Sequence, residues 1–426
     1  KHRWRLRAAH HGDRYGRSVE RREKDHPAER IRHRHDLGRS HHPHRPLRRF
    51  GIGGALGLIS QLKHNRKTVD IKTINRTLGL EGDDGVLQGL RDPHGMAAPG
   101  FRTLQEFTRL LGIPVHQLLV CSDGTITGHL FSFPMKFRFR GDVVEGVSGM
   151  DLFVCEEYRK YGHGMVLLDD YFNALRKQVF EAYGISKMAD PLYKFCGATT
   201  VPVPELSMPV RSRIKLMLAA GGRFRLLSPM VDVFLWCYRM YLKTMIAPIG
   251  KFSWRELKEI PAEVDEIVFA DKHPYAEWHD VQYLQALKDC DAASNRRFVG
   301  AYRGDEMVGF YLTEVKKRQI TVNGKPVTNK VGRVLEWGTR DDKGLPEKLL
   351  LLHALLQFKG GVDSACVHVM EPEVVDFLQN TCKLKIKAHF NWGIKIGDEF
   401  PCAEMPGIKD ISNWRVRTSM GDVGLY

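Results

Sequence analysis

A change of hydrophobic period between Leu152 and Tyr171 limits what this chain can fold into more than any other feature of its sequence. The segment LFVCEEYRKYGHGMVLLDDY begins as a strand that ends at Val154, and apolar residues then recur at helical spacing. Gly162 and Gly164 lie where the helix begins. Glycine lets backbone N–H groups approach a ligand closely, and a helix N-terminus attracts anions. The pattern predicts a diphosphate-binding loop, with an ordinary strand-to-helix turn as the alternative.

The flanking segments predict an α/β fold with a mixed sheet covered by helices. The predicted elements are a helix at Thr103–Leu111, a hairpin of residues 116–121 and 126–133, a second strand pair that turns at 141–142, a long helix at Gly164–Phe180, a strand at Val179–Ile185 and a short helix at Ala189–Cys196 with Gly197 after it. Residues 199–210 contain three prolines and are predicted to form an edge strand, and Asp70–Leu80 is predicted to be a short helix.

The loop and its context resemble the GNAT superfamily of N-acyltransferases, whose diphosphate loop reads roughly L-x-V-x-P-x-Y-R-x-x-G-x-G. The matching positions are Leu152, Val154, Tyr158, Arg159, Gly162 and Gly164, and Glu156 replaces the frequent proline. A second family pattern, N-x-x-A-x-x-x-Y-x-x-x-G, follows downstream as Ser186, Ala189, Tyr193 and Gly197, with serine in place of asparagine. Two motifs in this order are more specific than either alone.

The resemblance implies an acetyl-CoA site and a role for each matching residue. The backbone amides of Phe153 and Val154 would bind the pantetheine arm and polarise the thioester carbonyl, as an oxyanion hole does. Ser186 would contact the same arm, and Tyr193 would protonate the departing CoA thiolate. The diphosphate would lie on the loop formed by Arg159, Lys160, Tyr161, Gly162, His163 and Gly164, with the His163 side chain facing the diphosphate or solvent.

The general base is less well defined by the resemblance. Some family members place a glutamate on the strand before the loop, and Glu145 is the candidate at that place. Asp151, Glu156, Glu157 and a base that acts through water are alternatives. No metal is expected.

The second half of the chain repeats the plan of the first in weaker form. A hairpin around residues 303–305, a strand that reads GRVLEWGT, a helix at Leu345–Phe358 and a strand at Cys366–Met370 follow in the same order. The corresponding loop, residues 340–345, has one glycine and two aspartates, and Phe377 falls near the place of Tyr193. These features predict a tandem duplication, with a catalytic domain at 61–210, a connecting helical segment at 211–250 and a degenerate domain at 251–426.

The net charge of +15 is concentrated at the N-terminus. Residues 1–50 contain 16 Lys and Arg against 6 Asp and Glu, which leaves +5 for the rest of the chain. Few aliphatic residues occur there, so residues 1–60 are predicted to be a disordered tail. A solvated tail is the expected interpretation, and this basic tail is the only part of the chain that the sequence offers for nucleic-acid binding.

Two further features bear on the environment of the chain. Eight cysteines without a CxxC spacing, together with no run of 18 apolar residues, predict reduced thiols in the cytoplasm and no membrane span. Residues 211–249 combine basic residues with Leu, Met and aromatics. This composition fits either a membrane surface or packing between two domains, of which packing is the expected one.

These observations predict an N-acyltransferase that moves an acetyl or other acyl group from acetyl-CoA to an amine of a small molecule or peptide. A Fem-type aminoacyl transferase, a non-catalytic CoA-binding protein and an RNA-associated protein are the alternatives. The identity of the acceptor and the oligomeric state stay open.

Overall fold

The computed structural model describes residues 71–78, 99–211, 228–290, 295–322, 325–359 and 361–417, all within one compact unit. The predicted tail at residues 1–60 lies outside the described residues. Within the described ranges, no helix combines the length and hydrophobicity needed to cross a bilayer.

The first half contains most of the strands and helices that its sequence pattern predicts, in the predicted order. They are β1 (Ile71–Leu78), α1 (Pro99–Leu111), β2 (Val115–Ser122), β3 (Thr125–Phe139), β4 (Asp142–Val154), α2 (Glu156–Arg159), α3 (His163–Ala174), β5 (Val179–Ile185), α4 (Asp190–Phe195) and β6 (Thr199–Pro209).

The second half repeats much of this order after a long helix. Its elements are α5 (Ser228–Met245), β7 (Ser253–Leu257), α6 (Glu263–Phe269), β8 (Tyr275–Glu277), α7 (Val281–Asp289), β9 (Arg297–Arg303), β10 (Glu306–Val322), β11 (Lys325–Thr339), α8 (Glu347–Gln357), β12 (Ser364–His368), α9 (Pro372–Asp376), β13 (Lys385–Ile396) and β14 (Trp414–Arg415). Short 3-10 turns lie at Ala247–Ile249, Asp341–Lys343 and Ile411–Asn413, and a π-helical turn lies at Phe377–Thr381.

The hairpin between β2 and β3 confirms the predicted turn. Asp123 and Gly124 have φ values of 49° and 78°, which lie in the left-handed region that a tight hairpin turn requires. The turn brings Ser122 opposite Thr125 in the antiparallel register. The turn fixes the pairing next to it, and the register then shifts by one residue between Cys121 and Val120.

One continuous mixed sheet runs through both halves of the chain. Its strand order is β1-β2-β3-β4-β5-β13-β6-β12-β11-β10-β9-β7, and β8 joins both β3 and β14 at the side. Each strand of the first half has a counterpart in the second half, and the two counterparts lie equally far from opposite ends of the sheet. The last strands of the two halves, β6 and β13, change places at the centre.

This exchange ties the two halves together through backbone hydrogen bonds. β13 pairs antiparallel with β5 of the first half, while β6 pairs with β12 of the second half. β6 and β13 also pair with each other. The prediction of an edge strand at residues 199–210 is therefore wrong, since β6 has a neighbour on both sides. Pro202 and Pro204 fall outside Glu205–Pro209, the part of β6 that pairs with β12, so they remove no N–H from that ladder.

The sheet has an apolar core on each face of the first half. On one face, α3 and α4 cover the sheet through Leu167, Leu168 and Tyr193. On the opposite face, α1 and α7 pack over a second cluster that contains Phe131 and Tyr183. Different helices therefore cover the two faces of β4 and β5.

A buried ionic network holds the end of the described chain. Arg415 donates to Glu336 at 2.8 Å, and the other Glu336 oxygen lies 2.5 Å from His279 Nδ1. Burial raises the pKa of Glu336, but His279 and Arg415 together lower it to about 2. Arg417 donates to Glu371 at 2.6 Å and lies 4.0 Å above the ring of Trp337. The segment 414–417 is therefore built into the interior.

Two other predicted elements differ from the structure. Asp70–Leu80, predicted as a helix, is the strand β1, which pairs with β2 from Ile71 to Leu78. Its two isoleucines and two threonines are β-branched and favour a strand, a signal that the polar residues between them obscured. The long helix ends at Ala174 rather than at Phe180. The predicted domain boundaries at residues 210 and 250 remain predictions.

Candidate functional site

The strands β4 and β5 part at the centre of the first half. β4 pairs with β3 along its whole length to Val154, but it pairs with β5 only from Gly146 to Gly149. The edge of β4 from Met150 to Val154 therefore has no strand beside it among the described residues. An unpaired strand edge offers N–H and C=O groups to an extended ligand.

A bulge shapes this free edge. The β3–β4 register shifts between His129 and Phe131, and Asp151 on β4 adopts a φ of 53°. A non-glycine residue in the left-handed region costs about 1–2 kcal/mol and persists only when its surroundings hold it. Gly128 permits the close approach of β3 and β4 at the bulge, because a Cβ at this position would lie 2.5 Å from the Phe153 carbonyl oxygen.

The loop after β4 leads directly into the N-terminus of α3. Gly162 has a φ of 81° and its carbonyl accepts from the N–H groups of Met165 and Val166. The first N–H groups of a helix have no carbonyl acceptor within the helix, and in α3 these include the N–H groups of His163 and Gly164. Two amides and the positive end of the helix dipole thus meet next to the free edge of β4.

The two glycines of the loop are needed for different reasons. Gly162 requires glycine for its positive φ, and its nearest neighbour would be the Met165 methyl at 4.0 Å. At Gly164 a Cβ would point inward, 3.3 Å from Leu192 Cδ1 and 3.6 Å from Val154 Cγ2. Gly164 therefore allows α3 to pack closely on α4 and β4, whereas the sequence motif had suggested that it clears the way for a ligand.

His163 does not face solvent, which corrects the expectation from the sequence. Its side chain is fully buried, with Nδ1 hydrogen bonded to the Thr127 hydroxyl at 2.7 Å and the ring beside Tyr158. Burial lowers the pKa of His163, so the ring is neutral at pH 7. The imidazole fixes the start of α3 against β3 through Nδ1, while its Nε2 atom is buried without a hydrogen-bond partner among the described residues.

The two basic residues of the loop differ in their surroundings, since Arg159 makes a structural hydrogen bond and Lys160 is exposed to solvent. Arg159 donates from Nε to the Val154 carbonyl at 2.9 Å and so closes the end of β4. Lys160 is exposed, and its ammonium lies 4.9 Å above the ring of Tyr161, which is 56% exposed. Lys160 is the cation with the freedom to reach a diphosphate.

Ser186 and Tyr193 both lie at α4. Ser186 Oγ accepts from the Ala189 N–H at 3.1 Å, so the hydroxyl organises the turn into the helix. The Tyr193 side chain is 3% exposed and its ring stacks on Phe180 with centroids 6.2 Å apart. The family motif is present in space, with the tyrosine enclosed in the core of the α3–α4 face.

The remaining predicted residues occupy different places along β4. Phe153 and Val154 are buried and lie in the part of β4 that does not pair with β5. Glu145 is exposed and lies opposite Lys136 of β3, before the paired segment with β5 begins. Asp151 lies at the bulge and within the part of β4 that does not pair with β5.

The structure adds a residue pair that the sequence reasoning missed. His129 Nε2 lies 3.5 Å from an Asp151 carboxylate oxygen, and His129 is fully buried between Phe131 and Phe153. The partners are on different strands, and the bulge decides that they meet. A histidine in the middle of a hydrophobic strand was the only signal in the sequence.

No group of three or more His, Cys, Asp and Glu side chains is arranged as a metal site in the part of the chain that the structure describes.

Comparison with solved structures identifies the fold. A protein from Enterococcus faecalis V583, described as a conserved protein of unknown function and probable N-acyltransferase, aligns over 77% of this chain and 73% of its own length, with 11% identity and a TM-score of 0.50. The chain has a GNAT-type fold.

Two further structures align over a similar part of this GNAT fold. A GCN5-related N-acetyltransferase from Anabaena variabilis covers 76% of this chain and 73% of its own length, with 11% identity and a TM-score of 0.47. An N-myristoyltransferase from Saccharomyces cerevisiae covers 76% and 78%, with 9% identity and a TM-score of 0.46. The sequence itself matches no protein-family model and no curated protein.

The second half of the chain also contains a pair of neighbouring parallel strands that separate. β11 pairs with β12 only from Val331 to Val334, so these strands also part. In the loop that follows β11, Arg340 forms ion pairs with Glu266 at 2.6 Å and with Glu306 at 3.3 Å, so its charge is already balanced. Arg415 donates to the Trp337 carbonyl on the far part of β11.

Proposed function

We propose that the protein transfers an acetyl or other acyl group from acyl-CoA, in the first instance acetyl-CoA, to an amine of a small molecule or peptide. The observation that carries this proposal is the free edge of β4, Met150–Val154, next to the amides of His163 and Gly164 at the start of α3. An extended pantetheine arm with a diphosphate at one end needs these two features side by side.

The chemistry would proceed at the bulge of β4. The amine nitrogen attacks the thioester carbonyl carbon, and the amides of Phe153 and Val154 stabilise the oxyanion that forms. The carbon–sulfur bond then breaks, the amide product forms, and the thiolate takes a proton that we assign to Tyr193. A base removes the proton that the amine nitrogen loses.

Two carboxylates compete for the role of that base. Glu145 is the candidate from the family resemblance. Asp151, with His129 at 3.5 Å, is the one that the geometry of the bulge favours, because it lies at the parting of the strands. Because the buried His129 side chain has little room to move, its contact would hold the Asp151 carboxylate in place.

We further propose one CoA site per chain, in a tandem pair of which the second copy is degenerate. The mirrored strand order supports the duplication. The ion pairs of Arg340 and the contact of Arg415 with Trp337 support the loss of the second site. The eight scattered cysteines, with no CxxC spacing among them, support a reducing compartment, the cytoplasm.

Calorimetric titration with acetyl-CoA, followed by a screen of amine acceptors with detection of released thiol, tests the proposal. We expect one site per chain and, at a ligand concentration 100 times Kd, about 2.7 kcal/mol of added stability. Absence of acetyl-CoA binding would refute the site, and two equivalent sites per chain would refute the degenerate second copy.

A binding protein without turnover is the second candidate, and the enclosure of Tyr193 favours it. This candidate predicts the same titration and no thiol release with any amine. The Tyr193→Phe variant then leaves acetyl-CoA binding unchanged and has no activity to lose.

A further inference from the structure

The helix α5, Ser228–Met245, shows its apolar side to solvent. The side chains of Met230, Val233, Phe234, Trp236 and Tyr241 are between 51% and 70% exposed, and Met240 is 41% exposed. These positions follow the spacing of a single broad helical stripe. The outward stripe of a surface helix is normally polar, and an apolar one of this extent marks an interaction surface.

The opposite side of α5 is fixed to the body of the protein. Leu235 and Leu242 are buried, and Tyr238 donates to the Cys382 carbonyl at 2.5 Å. Arg239 donates from Nη2 to the Leu356 carbonyl at 2.8 Å. Because this side is already packed, the exposed apolar stripe is available to something outside the described structure.

A cavity of about 540 Å³ lies beside the C-terminal part of α5. Three cations, Arg239, Lys243 and Lys359, line it, and the lining includes no carboxylate among the described residues. The Nη1 atom of Arg239 is buried and has no hydrogen-bond partner in the described structure. A buried guanidinium nitrogen without an acceptor indicates an anionic group that fits there.

Part of the cavity wall is neutral and aromatic. Trp254 and His353 stack with ring centroids 3.7 Å apart. Burial lowers the pKa of His353 to about 4, so its ring carries no charge at pH 7. A ligand with a negatively charged group and an adjoining apolar part matches this combination of rim and wall.

The charge of the surrounding sequence agrees with an anionic partner. Residues 211–249 contain seven Lys and Arg, at 211, 213, 215, 223, 225, 239 and 243, against one acidic residue, Asp232. Aromatic and methionine side chains together with basic residues are characteristic of helices that lie in the plane of a membrane interface.

We propose that α5 docks the protein on an anionic lipid surface, with its apolar stripe in the interface and a lipid phosphate in the cavity lined by Arg239, Lys243 and Lys359. This inference goes beyond the proposed acyl transfer and does not depend on it, because none of these residues belongs to the β4–α3 site. Tyr241 and Trp236 supply the amphipathic rings that settle at the level of lipid headgroups.

Flotation of the full chain with vesicles tests the proposal, using phosphatidylcholine vesicles with and without phosphatidylglycerol. We expect binding to the mixed vesicles and much weaker binding to phosphatidylcholine alone. Phe234→Ser and Trp236→Ser should each lower the affinity about tenfold. Lys243→Gln and Lys359→Gln should each lower it about fivefold, as loss of one cation near an anionic surface does.

Matched substitutions elsewhere serve as controls. Phe269→Ser on α6 removes an aromatic side chain that is 48% exposed, and Lys409→Gln removes an exposed cation. Both should retain full vesicle binding. All variants should melt at the temperature of the parent, since the replaced side chains are exposed, and should bind acetyl-CoA as the parent does.

Three results would overturn the proposal. The first is vesicle binding that is absent or that the α5 variants do not change. The second is a dimer, seen by sedimentation equilibrium, that Phe234→Ser dissociates, since the stripe would then be an interface between copies of this chain. The third is calorimetric binding of glycerol 3-phosphate without any vesicle binding, which would assign the cavity to a soluble phosphate.

Discussion

Replacing Gly164 with a larger residue tests why this loop position is glycine. A Cβ at Gly164 would lie 3.3 Å from Leu192 Cδ1 and 3.6 Å from Val154 Cγ2. The first distance requires Leu192 to shift by a few tenths of an ångström, and the branches of valine reach further. Overpacking of this kind costs about 1–3 kcal/mol, so we expect about 1 kcal/mol for Gly164→Ala and about 3 kcal/mol for Gly164→Val.

A double-mutant cycle with Leu192 isolates the contact. Leu192 is half-buried, so Leu192→Ala alone should cost about 2 kcal/mol or less. The double variant Gly164→Val/Leu192→Ala should be more stable than the sum of the two single losses by about 0.5 kcal/mol or more, because the truncated side chain leaves room for valine. Urea unfolding measures all four proteins, and titration with acetyl-CoA follows the affinity in the same preparations.

Either of two outcomes would refute this reasoning. If the two single losses simply add, Leu192 does not meet the new side chain. If Gly164→Val unfolds with the parent yet loses acetyl-CoA, the glycine serves the approach of the ligand, as the sequence motif suggested, and the packing argument fails.

Three further predictions concern single residues. Gly162→Ala should cost about 1–2 kcal/mol and weaken acetyl-CoA binding in calorimetry, whereas Gly162→Asn, which tolerates a positive φ, should do less of both. Tyr193→Phe should leave the melting temperature unchanged and lower kcat by about 10²–10⁴-fold; an unchanged kcat removes the tyrosine from the mechanism. Burial raises the pKa of Glu181 to about 7. Its folded-state pKa thus exceeds the unfolded one, so stability present below pH 4.5 should fall by about 3 kcal/mol as the pH rises through 7, and Glu181→Gln should flatten that dependence in urea titrations.

Local patterns in the sequence were sufficient for much of the first half. Val179–Ile185 was predicted with the bounds that the structure has, because a short apolar run between turn signals has few other solutions. The Asp123–Gly124 hairpin followed from turn chemistry for the same reason. These elements depend on interactions within a few residues, which a single sequence displays.

The errors involve partners that are distant in the chain. Prolines in β6 suggested an edge, and only the arrival of β13 makes the strand central. The sequence predicted His163 to be a loop residue, whereas in the structure its Nδ1 atom lies 2.7 Å from the Thr127 hydroxyl on β3. The contact of His129 with Asp151 depends on a one-residue bulge, which no periodicity reveals.

The exchange of β6 and β13 has a consequence for biosynthesis. Trp392 of β13 donates to Glu181 of β5 at 3.1 Å, across a separation of 211 residues. When β5 leaves the ribosome, the strand that will cover its edge has not yet been translated. Nascent chains therefore carry an open β5 edge through synthesis of the whole second half, and such edges are prone to aggregation. We expect truncated chains that end before Lys385 to depend on chaperones, and the last described strands to complete folding late, after release of the full chain.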